Sequence, residues 1–243
     1  VSVMKIKWVI FDMDNTLIDT EPLYTNASNR FGDLMASLGF DRDAVMKKQD
    51  EIDAGLFEEF GYSTDRFAES FERTARHFLE GGGYFPVGRE NTIKQARSIA
   101  MDVFDQKSIE YDYAAGVVRQ IANAGYKVAV ITAGERWVQI KRFDDLTMRN
   151  LFHDCWVVLK KTSDVFEDFC IKHNVDKDNS WMIGDSIRSD ILSSHAAGLN
   201  AIHLNTSNWG SVEVGKDQIP DGVITVPDLS HTPDIILGVK TNG

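Results

Sequence analysis

The sequence predicts a parallel α/β sheet interrupted by an all-helical insertion, and three observations carry that prediction. The first is a continuous apolar run, Trp8, Val9, Ile10 and Phe11, that ends in Asp-Met-Asp-Asn-Thr. Apolar residues without alternation are what a strand buried on both faces requires. The second is the rhythm of the latter half, where short β-branched runs alternate with amphipathic helical patterns. The third is a stretch from 20 to 106 that has helical spacing and no convincing strand. A chain of 243 residues exceeds one simple domain, so a core at 1–19 and 107–243 with an inserted helical subdomain at 20–106 is the expected organisation.

Taken in order, Val9 to Phe11 form the first core strand, and the strand end is where open α/β sheets place their chemistry. In the insertion, Leu23, Ala27, Phe31, Leu34 and Leu38 share one helical face, and Phe67, Phe71, Ala75 and Phe78 share another. Nine of the fourteen phenylalanines lie there, enough for a small core of its own. Gly81, Gly82 and Gly83, followed by Pro86 and Gly88, break the pattern. Because the insertion follows the Asp12 loop directly, it is placed to act as a lid. Beyond it, strands are expected at 127–132, 155–159, 180–184, 200–204 and 222–226. Helices are expected at 114–124, 143–151, 165–173 and 190–197.

Asp12 and Asp14 stand two apart just past the first strand and present two carboxylates to one small volume. That pairing suits a nucleophile, an acid/base and a hard cation, although Asp after a strand is also ordinary turn chemistry. Thr132, Ala133 and Gly134 end the next core strand; a hydroxyl and two unhindered amides there can bind phosphate oxygens, or simply make a turn. Lys160 and Lys161 follow the strand at 155–159, where a cation would offset repulsion between a carboxylate and a phosphate. Two adjacent lysines cannot both point inward. In Gly184-Asp185-Ser186-Ile187-Arg188-Ser189-Asp190, glycine permits a tight turn and Asp185 emerges where a further oxygen ligand is wanted. Asp190 begins the next helix, as an N-cap, a functional carboxylate or both.

Composition excludes several alternatives. A formal charge of −11 repels polyanions, which argues against nucleic acid or an anionic membrane as the main partner. Small phosphorylated molecules remain open, because a local cation reverses the field within one pocket. Cys155 and Cys170 lie in apolar surroundings without metal-ligand spacing, and read as buried free thiols in a reducing compartment. No apolar run approaches the ~20 residues that span a bilayer. The first residues, Val-Ser-Val-Met-Lys-Ile-Lys, lack a signal-peptide layout, so a cytoplasmic location is expected.

Four segments, Asp-Met-Asp-Asn-Thr at Asp12, Ile-Thr-Ala-Gly at Thr132, Lys-Lys at Lys160 and Gly-Asp-Ser-Ile-Arg-Ser-Asp at Asp185, together resemble the ordered motifs of the haloacid dehalogenase superfamily. The resemblance spans nearly the whole chain, with 20–106 where that family inserts a helical cap. It implies a Rossmann-like core and a phosphatase with Asp12 as nucleophile and Asp14 as acid/base. It further implies Mg²⁺ held by Asp12, the Asp14 main-chain carbonyl and Asp185, with Asp190 and Thr16 supporting from behind. Thr132 with the Ala133 and Gly134 amides would bind the phosphoryl group, and a lysine would neutralise it. Members with this spacing place an aromatic residue five or six positions after that lysine, so Phe166 permits Lys161 or Lys160; Lys161-Thr162 is closer to the family form. Asn15 stands where many relatives have glycine, and no proline follows the lysine pair; Asn tolerates the unusual backbone angles such a loop needs.

The implied substrate is a small phosphomonoester, with sugar phosphates, nucleotides and short-chain acid phosphates all open. Arg30, Arg66, Arg73 and Arg76 in the insertion can serve a second anionic group or be helical surface charge. Within the superfamily, carbon–halogen cleavage needs neither a second carboxylate nor a metal carboxylate, whereas Asp14 and Asp185 are both present. A non-catalytic binding relative has no need of all three carboxylates. A phosphomutase or other phosphotransferase would differ mainly in how water is excluded.

Overall fold

The structure, a computed structural model, describes residues 4–81, 88–206 and 219–238. The glycines at 82 and 83 and the proline at 86, which mark the sequence break in the insertion, lie outside them. The chain divides into two compact units, Val1–Thr20 with Ser108–Gly243, and Glu21–Lys107.

The first unit is built on a six-stranded sheet. Its strands are β1 (Trp8–Phe11), β4 (Lys127–Ala133), β5 (Asp154–Val158), β6 (Trp181–Gly184), β7 (Asn200–Leu204) and β8 (Ile224–Val226). The order is β5-β4-β1-β6-β7-β8, and every neighbouring pair is parallel. β1 is central because all four of its residues are buried on both faces. Val9 and Phe11 join Val128, Val130, Ile183 and Ile202 in a core that α5 (Ala114–Asn123) closes with Val117, Val118 and Ile121. Trp8 and Ile10 join Ala129, Ile131 and Met182 on the other face, under Phe166, Phe169 and Cys170 of α7 (Ser163–Lys172). The period of two along β1 thus feeds two cores, one per face. The chain leaves β1 toward β4 and β5, then returns to β6 on the other side, so strand order reverses at the carboxyl end of β1. That crevice is where such sheets bind ligands.

Three sequence expectations in this unit need correction. The helix expected at 143–151 is instead α6 (Arg136–Asp144), followed by a 3₁₀ turn at Arg149–Leu151. Phe143, Leu146 and Met148 are buried, but the last two sit in irregular chain, so their spacing reports burial and not a helix. The helix expected at 190–197 is a π-helical turn, Ile187–Leu192, running into α8 (Ser193–Ala196). Its N-cap is Ser186, whose side chain accepts from Ser189 N, and not Asp190, which lies within the turn. A short antiparallel ribbon of β2 (Ile18–Asp19) and β3 (Ile109–Glu110) was not expected, being too brief to show alternation. Both cysteines are free, Cys170 buried and Cys155 half-buried. Burial pushes their thiols up to about 11 and about 12, respectively, which leaves them inert near neutral pH.

The second unit contains α1 (Glu21–Ser37), α2 (Arg42–Phe60), α3 (Thr64–Gly81) and α4 (Arg89–Asp105). Its core is aromatic: Phe31 stacks on Phe71 at 4.5 Å between centroids, and Phe67 packs against both Phe71 and Tyr24. All four arginines considered for a second anionic group face carboxylates of their own unit. Arg30 pairs with Asp102, Arg66 with Asp53, Arg73 with Glu69, and Arg76 with Glu72, Glu80 and Glu90. Among the described residues, no helix is long and apolar enough to cross a membrane.

Candidate active site

The carboxyl end of β1 gathers the polar residues singled out in the sequence. Asp12 is buried, its N–H donating to Ile183 O of β6 at 2.9 Å, so the ladder that fixes the sheet also fixes this carboxylate. The chain then turns sharply: the amides of Thr16, Leu17 and Ile18 all point to the Met13 carbonyl. Asn15 takes φ 58°, in the left-handed region, and its side-chain oxygen accepts from the Thr20 hydroxyl at 2.9 Å. Asn is among the few side chains that adopt this conformation readily. Thr16 is buried, and its hydroxyl has no protein partner among the described residues.

Lys161 lies at the centre. Its ammonium donates to Asp12 Oδ1 and to Asp190 Oδ1, while Lys160 is exposed. The second Asp190 oxygen accepts from Ser186 N at 3.1 Å, leaving this fully buried carboxylate braced on both sides. Gly184 is what lets it fit: a Cβ there would lie 2.3 Å from Asp190 Oδ2. Asp185 is buried beside it, its main-chain carbonyl 3.1 Å from His203 Nε2. Burial, reinforced by Asp190, Asp185 and Asp14 and opposed by Lys161, raises the Asp12 carboxyl well above the usual range. Burial alone would push the Lys161 ammonium down, but Asp12 and Asp190 outweigh it and hold the lysine charged.

Oxygens of Asp12, Asp185 and Asp190 lie within 4.8 Å of one another. Three buried carboxylates against one lysine leave an excess of negative charge, and every donor is a hard oxygen. Such a set fits a divalent cation of the Mg²⁺ class.

Thr132 is buried at the end of β4, next in the sheet to β1. The expectation for Gly134 needs correction: its amide donates to Val158 O at 3.0 Å, extending the β4–β5 ladder, and so is not free for a phosphate. Its glycine identity has another cause. At φ 143° its hypothetical Cβ would stand 2.8 Å from Gln139 Nε2.

Two residues absent from the sequence reading complete the arrangement. Arg142 and Gln139, both buried on α6, bond the Asp14 carboxylate at 2.9–3.0 Å. Their spacing of three on one helical face was the available signal, masked because the helix itself was placed too late in the chain.

Comparison with known proteins follows the same lines. A glyceraldehyde 3-phosphate phosphatase from Pyrococcus furiosus is 24% identical over 238 residues, covering 93% of this chain and 92% of that protein. A haloacid dehalogenase-like family hydrolase from Xanthomonas campestris superposes with TM-score 0.73 at 23% identity, over 97% of this chain and 96% of that one. A 2-haloacid dehalogenase from Pseudomonas syringae pv. tomato gives TM-score 0.57 at 22% identity, over 96% and 98%. At these identities the structures show a shared fold. The profile of the haloacid dehalogenase-like hydrolases matches residues 9–204, and the chain belongs to that family.

Proposed function

We propose that this hydrolase is a phosphoric monoester hydrolase acting on a small phosphorylated metabolite through a phosphoaspartate on Asp12. The observation that carries the reading is the meeting of Asp12, Lys161, Asp185 and Asp190 at one strand end, with Asp14 two residues from the nucleophile. An Asp12 oxygen attacks phosphorus, the bond from phosphorus to the leaving oxygen breaks, and that oxygen takes a proton from the Asp14 carboxyl group. The Asp14 carboxylate then takes a proton from water as the water oxygen attacks the same phosphorus. The bond to Asp12 breaks, releasing inorganic phosphate and restoring both carboxyl groups. Lys161 keeps the Asp12 carboxylate and the incoming phosphate from repelling each other, and Thr132 offers a hydroxyl to the transferring group. Mg²⁺, held by Asp12, the Asp14 main-chain carbonyl and Asp185, would neutralise phosphate charge as it builds in the transition state. Asp190 supports the site by holding Lys161. The helical insertion, entered directly after the Asp12 loop, is assigned the selection of substrate.

The name of the Pyrococcus relative supports the phosphatase over the dehalogenase branch, as does the presence of Asp14 and Asp185. It also makes glyceraldehyde 3-phosphate the first substrate to try. The test is phosphate release from that compound and from p-nitrophenyl phosphate, with and without Mg²⁺, for the wild type and Asp12→Asn. Metal-dependent release that disappears in a folded Asp12→Asn variant is expected. Full activity in the variant sinks the mechanism.

A further inference from the structure

Asp14 is gripped by two side chains that phosphoryl transfer does not by itself require. Arg142 Nη1 donates to Asp14 Oδ1 at 2.9 Å and Oδ2 at 3.0 Å, and Gln139 Nε2 donates to Oδ2 at 2.9 Å. This differs from a surface ion pair in three respects. Gln139 and Arg142 are only 4% and 5% exposed, whereas a charged or amide side chain normally keeps its end in water. The Gln139 amide turns its NH₂ to two acceptors, Asp14 and the Ala133 carbonyl at 3.1 Å, which leaves Oε1 buried with no protein partner among the described residues. Reversing the amide would set an oxygen against both acceptors, so this orientation is the better of two imperfect ones. The backbone also makes room, since Gly134 avoids a Cβ that would strike the same Nε2.

We propose that Arg142 and Gln139 are positioning residues that orient the Asp14 carboxyl group for proton transfer to the leaving oxygen, an inference that rests on the phosphatase reading. The terminal torsion of an aspartate is soft, and an unheld carboxyl group samples a broad range of planes. Arg142 Nη1, fixed by its rigid guanidinium, is shared between both oxygens and restricts that plane, and Gln139 discriminates between the oxygens by bonding only Oδ2. Only one event in the first chemical step depends on this placement. As the bond from phosphorus to the leaving oxygen breaks, the Asp14 proton moves to that oxygen. Attack by Asp12 on phosphorus does not involve Asp14. Loosening the grip therefore harms substrates in proportion to their need for a proton. An alkoxide leaves poorly without one, whereas a p-nitrophenolate leaves unaided.

The test is single-turnover release of the alcohol or phenol from aryl and alkyl phosphates of increasing leaving-group pKa. It compares the Mg²⁺-loaded wild type with Arg142→Met, Arg142→Lys and Gln139→Glu. In Arg142→Met and Gln139→Glu, alkyl phosphates should slow by about 10²-fold, the lower end of what proton transfer contributes, while p-nitrophenyl phosphate changes little. Arg142→Lys should recover part of the alkyl rate, because a lysine keeps the charge but not the rigid plane that fixes the Nη1 donor. A uniform loss across the series in a folded variant overturns the proposal, and so does an unchanged dependence on the leaving group. Should Arg142→Met fail to fold, Gln139→Glu, which keeps size and helical preference, makes the same comparison. Failure of the phosphatase reading looks different: the wild type then releases nothing that depends on Asp12, and the positioning role falls with it.

Discussion

Gly184 shows how one missing side chain can hold a charged cluster together. Its would-be Cβ lies 2.3 Å from Asp190 Oδ2 and 2.7 Å from Asp190 Cβ, so the whole carboxylate arm passes over the glycine. Asp190 cannot retreat, because Lys161 holds one oxygen and the Ser186 amide the other. Gly184→Ala should therefore displace either the end of β6 or the arm itself. Overpacking of this kind costs about 1–3 kcal/mol. If the arm yields, Lys161 loses one of two partners and phosphatase activity falls further than stability does. Thermal melting together with turnover checks this. A variant of wild-type stability and activity would mean that the turn opens without strain.

At the scale of elements, β5 and α7 are tied at the end of the sheet away from the site. Asp154, which opens β5, accepts from Trp156 Nε1 at 2.9 Å, from Lys172 Nζ at 3.1 Å at the end of α7, and from the Cys155 amide at 2.8 Å. His173 Nε2 lies 2.8 Å from the same carboxylate. Partial burial raises the Asp154 carboxyl, but these partners outweigh it and bring it down to about 2. A depressed carboxyl pKa contributes stability above its unfolded value near 3.8, and that contribution is lost as pH falls toward 2. Asp154→Asn should cost about 1 kcal/mol at pH 7 once solvent screening is allowed for. Its stability should converge on the wild type near pH 2. Denaturant titrations at pH 7 and pH 3 test the sign, and a gap that widens in acid would refute it. The central strands were readable because they are apolar on both faces, as Trp8 to Phe11 and Val128 to Ile131 show. α6 was not, because its buried face is Val138, Gln139, Arg142 and Phe143, half of it polar and turned toward Asp14. A search for apolar period finds no stripe there, and the helix was expected at 143–151 instead. The same limit hid the π-helical turn Ile187–Leu192, within which Asp190 is buried against Gly184. The sequence allowed either lysine and favoured Lys161 by its following threonine; in the structure Lys161 is buried on Asp12 and Asp190 while Lys160 is exposed.

For the whole molecule, charge and architecture make opposite demands. The chain carries a formal −11, and the α/β unit concentrates part of that charge in a buried cluster which Lys161 alone does not balance. Like charges brought out of water weaken the fold that holds them, so a divalent cation bound to the cluster would relieve that cost. The four carboxylates and Lys161 all belong to the unit formed by Val1–Thr20 and Ser108–Gly243, while Glu21–Lys107 has an aromatic core of its own. Two units with separate cores need not unfold as one. Mg²⁺ should therefore raise the melting transition of the α/β unit selectively, by about 2.7 kcal/mol at a hundredfold excess over its dissociation constant. Asp185→Asn should do the reverse: it removes one like charge, so the metal-free protein melts higher than wild type, and it removes a ligand, so Mg²⁺ no longer shifts the transition. Differential scanning calorimetry of both proteins, with and without 10 mM Mg²⁺ (roughly a saturating excess for a carboxylate-held ion), reads all four states. A metal-free Asp185→Asn protein that melts below wild type would show that Asp185 is a net stabiliser and that the cluster carries no stored repulsion for a metal to relieve.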